Sequence, residues 1–185
     1  MKRTLPVLSM IILLSLISIQ AFAQESAYNI WPGDTLEISV WKDESLSRQL
    51  IVPPDSKISF PLIKDIDVSR LTVPELRDII KKRLSEFVPD ATVTVILLKA
   101  DSLTAYVIGK VNKPGQFPIT METNVMQILA MAGGLNPFAS AKDIIILRKQ
   151  NGNTIKLPFN YEEVKKGERL DQNIILNRGD VVVVP

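Results

Sequence analysis

Two amphipathic stretches, each opened by a capping pair and each set among short β-branched runs, constrain this chain more than any other feature. Thr72 and Glu75 form the first pair. In such a pair the threonine oxygen accepts the free amide at the third helical position, and the glutamate reaches back to the cap. Behind it Leu76, Ile79, Ile80, Leu84 and Phe87 fall on one apolar stripe, and Pro89 is expected to stop the helix. Asn124 and Gln127 are the second pair, ahead of Val125, Ile128 and Leu129, with Gly133-Gly134 as terminator. A third, short helix is expected between the caps Asn160 and Glu163 and the stop at Gly167.

Around these helices the period is two. Residues 34–41 alternate, with Leu36, Ile38 and Val40 on one face, and start from the turn Pro32-Gly33-Asp34. Residues 47–52 end at Pro53-Pro54-Asp55, and 57–62 and 92–98 complete a first group of strands. The pattern breaks at residues 100–102. A second group follows: 104–108, the turn Lys113-Pro114-Gly115, and 116–119, where Pro118 marks a sheet edge. Residues 143–147 and 154–159 read as a hairpin about Asn151-Gly152. Val181 to Val184 is apolar on both faces, so this last strand is expected at a sheet centre. Gly33-Asp34 and Gly179-Asp180 both precede strands, an echo that ordinary turn chemistry explains.

The predicted class is therefore α+β, two small mixed domains. The expected division is a signal peptide at 1–23, a strand-rich domain with one packed helix at 24–101, and a second domain at 102–185. The signal rests on the basic pair Lys2-Arg3, an apolar run over 5–19, and Ala21-Phe22-Ala23, with cleavage before Gln24. The run is shorter than the roughly 20 residues that span a bilayer. Two domains of such size bury little surface each and lean on neighbours, so a homo-oligomer is expected.

Composition narrows the chemistry. With no cysteine there is no disulfide, thiolate metal site, cysteine nucleophile or cysteine-linked lipid, and with no histidine the commonest general base is missing. Removing Lys2 and Arg3 from the 22 basic residues leaves 20, equal to the 20 acidic ones, which argues against a nucleic-acid partner. The acidic pairs Asp34/Glu37, Asp43/Glu44 and Glu162/Glu163 lack the motif of a hydrolytic dyad and read as solvated or capping acids. Lys81-Lys82-Arg83 reads as the wet side of the first helix. Ala132-Gly133-Gly134-Leu135 lacks the residues of a phosphate loop. Trp31, Trp41, Tyr106 and Phe117 offer stacking surfaces for sugar rings, although core or interface packing accounts for them better. No catalytic residue, cofactor or metal ligand is expected.

Residues 28–41, Val52-Pro-Pro-Asp55, Ile58-Ser-Phe-Pro-Leu62 and Leu71-Thr72 resemble the N-terminal domain of outer-membrane polysaccharide export (Wza-like) proteins. Val107-Ile-Gly109-Lys-Val111, Lys113-Pro114-Gly115, Ala130-Met-Ala-Gly133-Gly134 and Asn177-Arg-Gly179-Asp180 onward resemble the soluble-ligand-binding β-grasp (SLBB) module. Pro32, Gly33, Asp34, Pro54 and Asp55, with the second domain's Gly109, Pro114, Gly115, Gly133, Gly134, Gly179 and Asp180, match the family's structural turns. Ser56, Lys64 and Arg70 depart from it, standing where the family has glycine. The resemblance implies a non-enzymatic periplasmic component that handles a polysaccharide. Because the chain stops at Pro185 without a pore-forming helix, a separate integral outer-membrane β-barrel protein and an inner-membrane polysaccharide co-polymerase are expected as partners. The alternative is a free periplasmic β-grasp module that binds carbohydrate without a channel.

Overall fold

A computed structural model describes residues 27–185; the expected signal peptide and its cleavage site lie outside the described residues. It is α+β throughout. Ten strands lie in three sheets, and three helices flank them among the described residues.

The first core draws on residues 30–95. β1 (Thr35–Val40) lies between β2 (Asp43–Ile51) and β5 (Val93–Lys99), antiparallel to both. Alternation decides which face is dry: Leu36, Ile38 and Val40 are buried, and their neighbours along β1 are half-exposed. Helix α1 (Val73–Leu84) packs on this sheet through Leu76, Ile80 and Leu84. Its capping box is complete, with the Glu75 amide donating to Thr72 Oγ1 and the Thr72 amide donating to Glu75 at 2.8 Å. The N-terminal segment is pinned to the helix start, where the Ile30 amide donates to the Leu71 carbonyl at 2.8 Å.

Two expectations fail here. The helix ends at Leu84 with Ser85 as its cap, before Pro89 is reached, and Phe87 is 55% exposed instead of extending the buried stripe. The Phe87 and Val88 amides both donate to the Leu84 carbonyl in a tightened turn that follows the helix. An unforeseen strand, β4 (Lys64–Asp67), forms a hairpin with β3 (Lys57–Phe60) through buried Ile66. Its polar composition hides it, since only one of its four residues is apolar.

Ser56, Lys64 and Arg70 all adopt left-handed backbone, with φ of 58, 59 and 62°. For an L-residue that conformation costs about 1–2 kcal/mol, a cost glycine avoids. The three departures from the resemblance therefore stand at positions where glycine is conformationally favoured.

The second core draws on residues 105–184. Its five-stranded sheet has the order β7-β6-β10-β8-β9, comprising β6 (Thr104–Gly109), β7 (Gly115–Pro118), β8 (Ile144–Gln150), β9 (Asn153–Phe159) and β10 (Val181–Val184). The four-valine strand is central, and its pairing with β6 is the one parallel pairing in the sheet. β7, which holds Pro118, is at an edge. Helix α2 (Val125–Met131) covers one face with Val125, Ile128 and Leu129. α3 (Tyr161–Lys165) is capped by Asn160, which accepts from the Glu162 and Glu163 amides. The expected return bond from Glu163 is replaced: the Asn160 amide donates to Gln172 at 2.7 Å.

Candidate functional site

The two Gly-Asp turns have the same build. In Trp31-Pro32-Gly33-Asp34, the Trp31 amide donates to the Asp34 carboxylate at 2.8 Å, and the Asp34 amide donates to the Trp31 carbonyl at 3.1 Å. In Asn177-Arg178-Gly179-Asp180, the Asn177 amide donates to Asp180 at 2.8 Å, and the Asp180 amide donates to the Asn177 carbonyl at 3.1 Å. Gly33 and Gly179 supply the positive φ, and each glycine amide bonds a backbone carbonyl at or just beyond a strand end, Val52 for Gly33 and Thr104 for Gly179. Both carboxylates are buried. The echo is thus one motif used twice, with a structural role that turn preference alone does not convey.

Their remaining partners differ. Arg148 meets Asp180 at 2.6 Å through Nη2, and a second contact from Nε reaches the other carboxylate oxygen at 3.1 Å. That ion pair lies within one core. Asp34 accepts from the Tyr28 hydroxyl at 2.7 Å and from both the amide and the hydroxyl of Ser102, where the two cores join. Counting the Trp31 amide, four donors saturate its two oxygens, so this carboxylate has no free position for a substrate or a transferable proton.

From the second core, Arg178 closes the junction. Its Nη2 donates to Tyr28 Oη at 3.1 Å, and its guanidinium lies 4.5 Å from the Trp31 ring centre and 5.6 Å from that of Tyr28. Such cation–π contacts contribute about 0.5–2 kcal/mol, the larger values when desolvated. Burial lowers the Arg178 pKa, opposed by the charges of Tyr28 and Asp34. Burial, reinforced by Asp34, pushes the Tyr28 phenol up to about 12, while the Ser102 hydrogen bond pulls it down. Tyr28 is therefore a neutral hydrogen-bond relay at physiological pH. The cluster fastens parts together and holds a tryptophan in place.

Trp31 remains 49% exposed and lines a cleft of about 260 Å³ with Pro32, Pro54, Ser56, Ser69 and Arg70. Asp55 lies beside this cleft and accepts the Lys57 amide at 3.2 Å. The remaining turn residues lie elsewhere. Gly109 pairs with Val184 at φ +95°, where a Cβ would overlap the Val184 carbonyl oxygen. Pro114 and Gly115 turn β6 into β7, and Gly133 and Gly134, both at positive φ, follow α2. Trp41 is 73% exposed and takes no part in the core, because it sits in the turn after β1. Phe117 packs partly on the second core and Tyr106 stands on the outer sheet face.

The acidic pairs do not converge. Glu37 accepts from Gln49 at 2.9 Å, Asp43 caps its own turn through Ser45, and Glu162 and Glu163 occupy the first turn of α3. Lys81 and Lys82 are solvent-exposed, and Arg83 reaches the Asp65 carbonyl. Sequence reasoning missed Tyr28, Ser102, Arg148 and Arg178 as a set. Arg178 was visible inside its quoted motif; nothing in the spacing connects Arg148 to Asp180, or Ser102 to Asp34.

Residues 23–98 match the family of polysaccharide biosynthesis/export proteins, and residues 103–184 match the SLBB domain. The polysialic acid transport protein KpsD of Escherichia coli is 24% identical over 85% of this chain and 28% of its own length. The EPS I polysaccharide export outer membrane protein EpsA of Ralstonia nicotianae is 28% identical over 88% of this chain and 48% of its own. The capsule polysaccharide export outer membrane protein CtrA of Neisseria meningitidis serogroup A is 26% identical over 88% and 45%. The chain spans less than half the length of these relatives. The chain therefore carries a domain of the polysaccharide biosynthesis/export protein family followed directly by an SLBB domain.

Proposed function

We propose that the chain is a periplasmic channel or adaptor component for export of a capsular or extracellular polysaccharide across the outer membrane. It works as a ring-like oligomer beside a separate integral outer-membrane β-barrel protein, with an inner-membrane polysaccharide co-polymerase at its other side. The observation that carries this reading is the consecutive match to an export domain and an SLBB domain, shared with relatives named for polysaccharide transport or export. Cleavage before Gln24 and domains at 24–101 and 102–185 belong to the same reading.

The polymer passes without bond chemistry on this reading. The saturated Asp34 and the neutral Tyr28 support it, because each is committed to holding the junction. An oligomer is supported by the outer face of the five-stranded sheet. There Tyr106 and Ile108 of β6 adjoin Val181 and Val183 of β10, which adjoin Leu147 and Ile145 of β8. Six apolar side chains at neighbouring register positions, none fully buried, offer a surface for subunit packing.

In-cell crosslinking tests this. The expected products are a homo-oligomer ladder and adducts with an outer-membrane β-barrel protein and an inner-membrane partner. Recovery of neither an oligomer nor a membrane partner would overturn the proposal.

A further inference from the structure

The Trp31 cleft combines features that a merely structural turn does not require. Trp31 is held on several sides, by its amide bond to Asp34 and by Arg178 over its ring, yet half its surface stays in water. Pro32 and Pro54 make stiff walls, so the cleft is preformed and little ordering entropy is lost on binding. Ser56 and Arg70 both line it from left-handed backbone, at φ of 58 and 62°. Strained residues of this kind persist at ligand sites, where the side chain is worth its conformational cost. Among the described residues, Arg70 makes no ion pair.

We propose that this cleft is a subsite for an acidic sugar unit, with Trp31 as the stacking platform and the Arg70 guanidinium as the partner of the sugar carboxylate. The proposal rests on the export reading and specifies the polymer class that the site takes. A sugar ring presents an apolar C–H face to an aromatic ring and hydroxyls at its edge, and Ser56 and Ser69 are polar residues in the same lining. Guanidinium matches carboxylate geometry in a two-point fork, which lysine does not. Arg70 and Arg178 flank the tryptophan with positive charge, and Asp34, its neighbour in sequence, is already saturated. No acidic residue lines the cleft; Asp55 and Asp67, close in sequence to its Ser56 and Ser69, accept the backbone amides of Lys57 and Ser69. The other clefts with cations, at Lys64 and Arg83, at Lys82 and Arg83, and at Arg48, each have a glutamate in their own lining, Glu86 or Glu37, and lack this imbalance.

The test uses tryptophan fluorescence of the full mature chain carrying Trp41→Phe, which leaves Trp31 as the sole tryptophan. The probes are galacturonic acid trimer, sialic acid trimer and the methyl ester of the galacturonic acid trimer. The expected result is a saturable change at millimolar concentration with at least one acidic trimer. Arg70→Gly should weaken it about tenfold, equivalent to about 1.4 kcal/mol. Glycine suits φ of 62°, so this variant removes the guanidinium without harming the fold, and unchanged thermal unfolding verifies that. Where galacturonic acid trimer binds, its ester should bind about tenfold more weakly, the charge being gone. Absence of binding by both acidic trimers, or equal binding by Arg70→Gly, overturns the subsite. Normal export dependence on the chain, measured in cells alongside a null binding result, would sink the subsite alone; export that persists without the chain would sink the underlying reading instead.

Discussion

Asp34 and Asp180 sit in the same turn, and the difference between them lies in who answers the buried charge. Asp180 is met by a guanidinium from its own sheet, Arg148 on β8. Asp34 is met by hydroxyls and amides, one pair of which comes from Ser102 at the junction of the two cores. An ion pair concentrates its dependence in one partner, whereas a hydroxyl network spreads it. The comparison teaches that one local motif serves two scales: it locks a sheet in the second half and ties halves together in the first.

The largest expected effect breaks the second turn. Asp180→Ala strands a mostly buried Arg148 and should cost about 3–5 kcal/mol, the range for removing one partner of a buried pair. Amide exchange should show protection lost through residues 105–184 and retained in 30–95. Asp34→Ala should cost about 2–3 kcal/mol, since several buried donors lose a charged acceptor. Its exchange signature should spread across both cores. If the two variants give the same local signature, the distinction drawn between the turns is wrong.

Tyr28→Phe is smaller, about 1.5–2 kcal/mol, for loss of the bond to the Asp34 carboxylate and of the weaker one from Arg178. It also carries a pH signature. The folded phenol ionises near 12 against an ordinary 10.0, so stability is full below pH 10 and falls as pH rises from 10 to 12, where the unfolded chain ionises first. Denaturant midpoints over that window should decline more steeply for the wild type than for Tyr28→Phe. The smallest effect has the opposite sign. Ser56→Gly releases a left-handed residue and should stabilise by about 1 kcal/mol, read from the same midpoints.

Much of this architecture was legible in the residues. The capping boxes at Thr72 and Asn124, the Asn151-Gly152 hairpin and the central valine strand are local signals, and local chemistry decides them. β4 was not legible, because Lys64-Asp-Ile-Asp67 shows one apolar residue and is a strand only through its pairing with β3. The junction was half legible. Asp34 and Gly179-Asp180 stood out as turns, but Tyr28, Ser102 and Arg178 are brought together across 74 to 150 residues by folding alone. Phe87 was misplaced for a related reason: periodicity says which face a residue occupies and not where its element ends.

The central claim is that the chain serves polysaccharide export, and surface polysaccharide measured before and after deletion of its gene tests that most directly. The account predicts loss of surface polymer on deletion, with polymer retained inside the envelope and release restored by the wild-type chain. Unchanged surface polymer in cells holding no second copy of such a protein would contradict it.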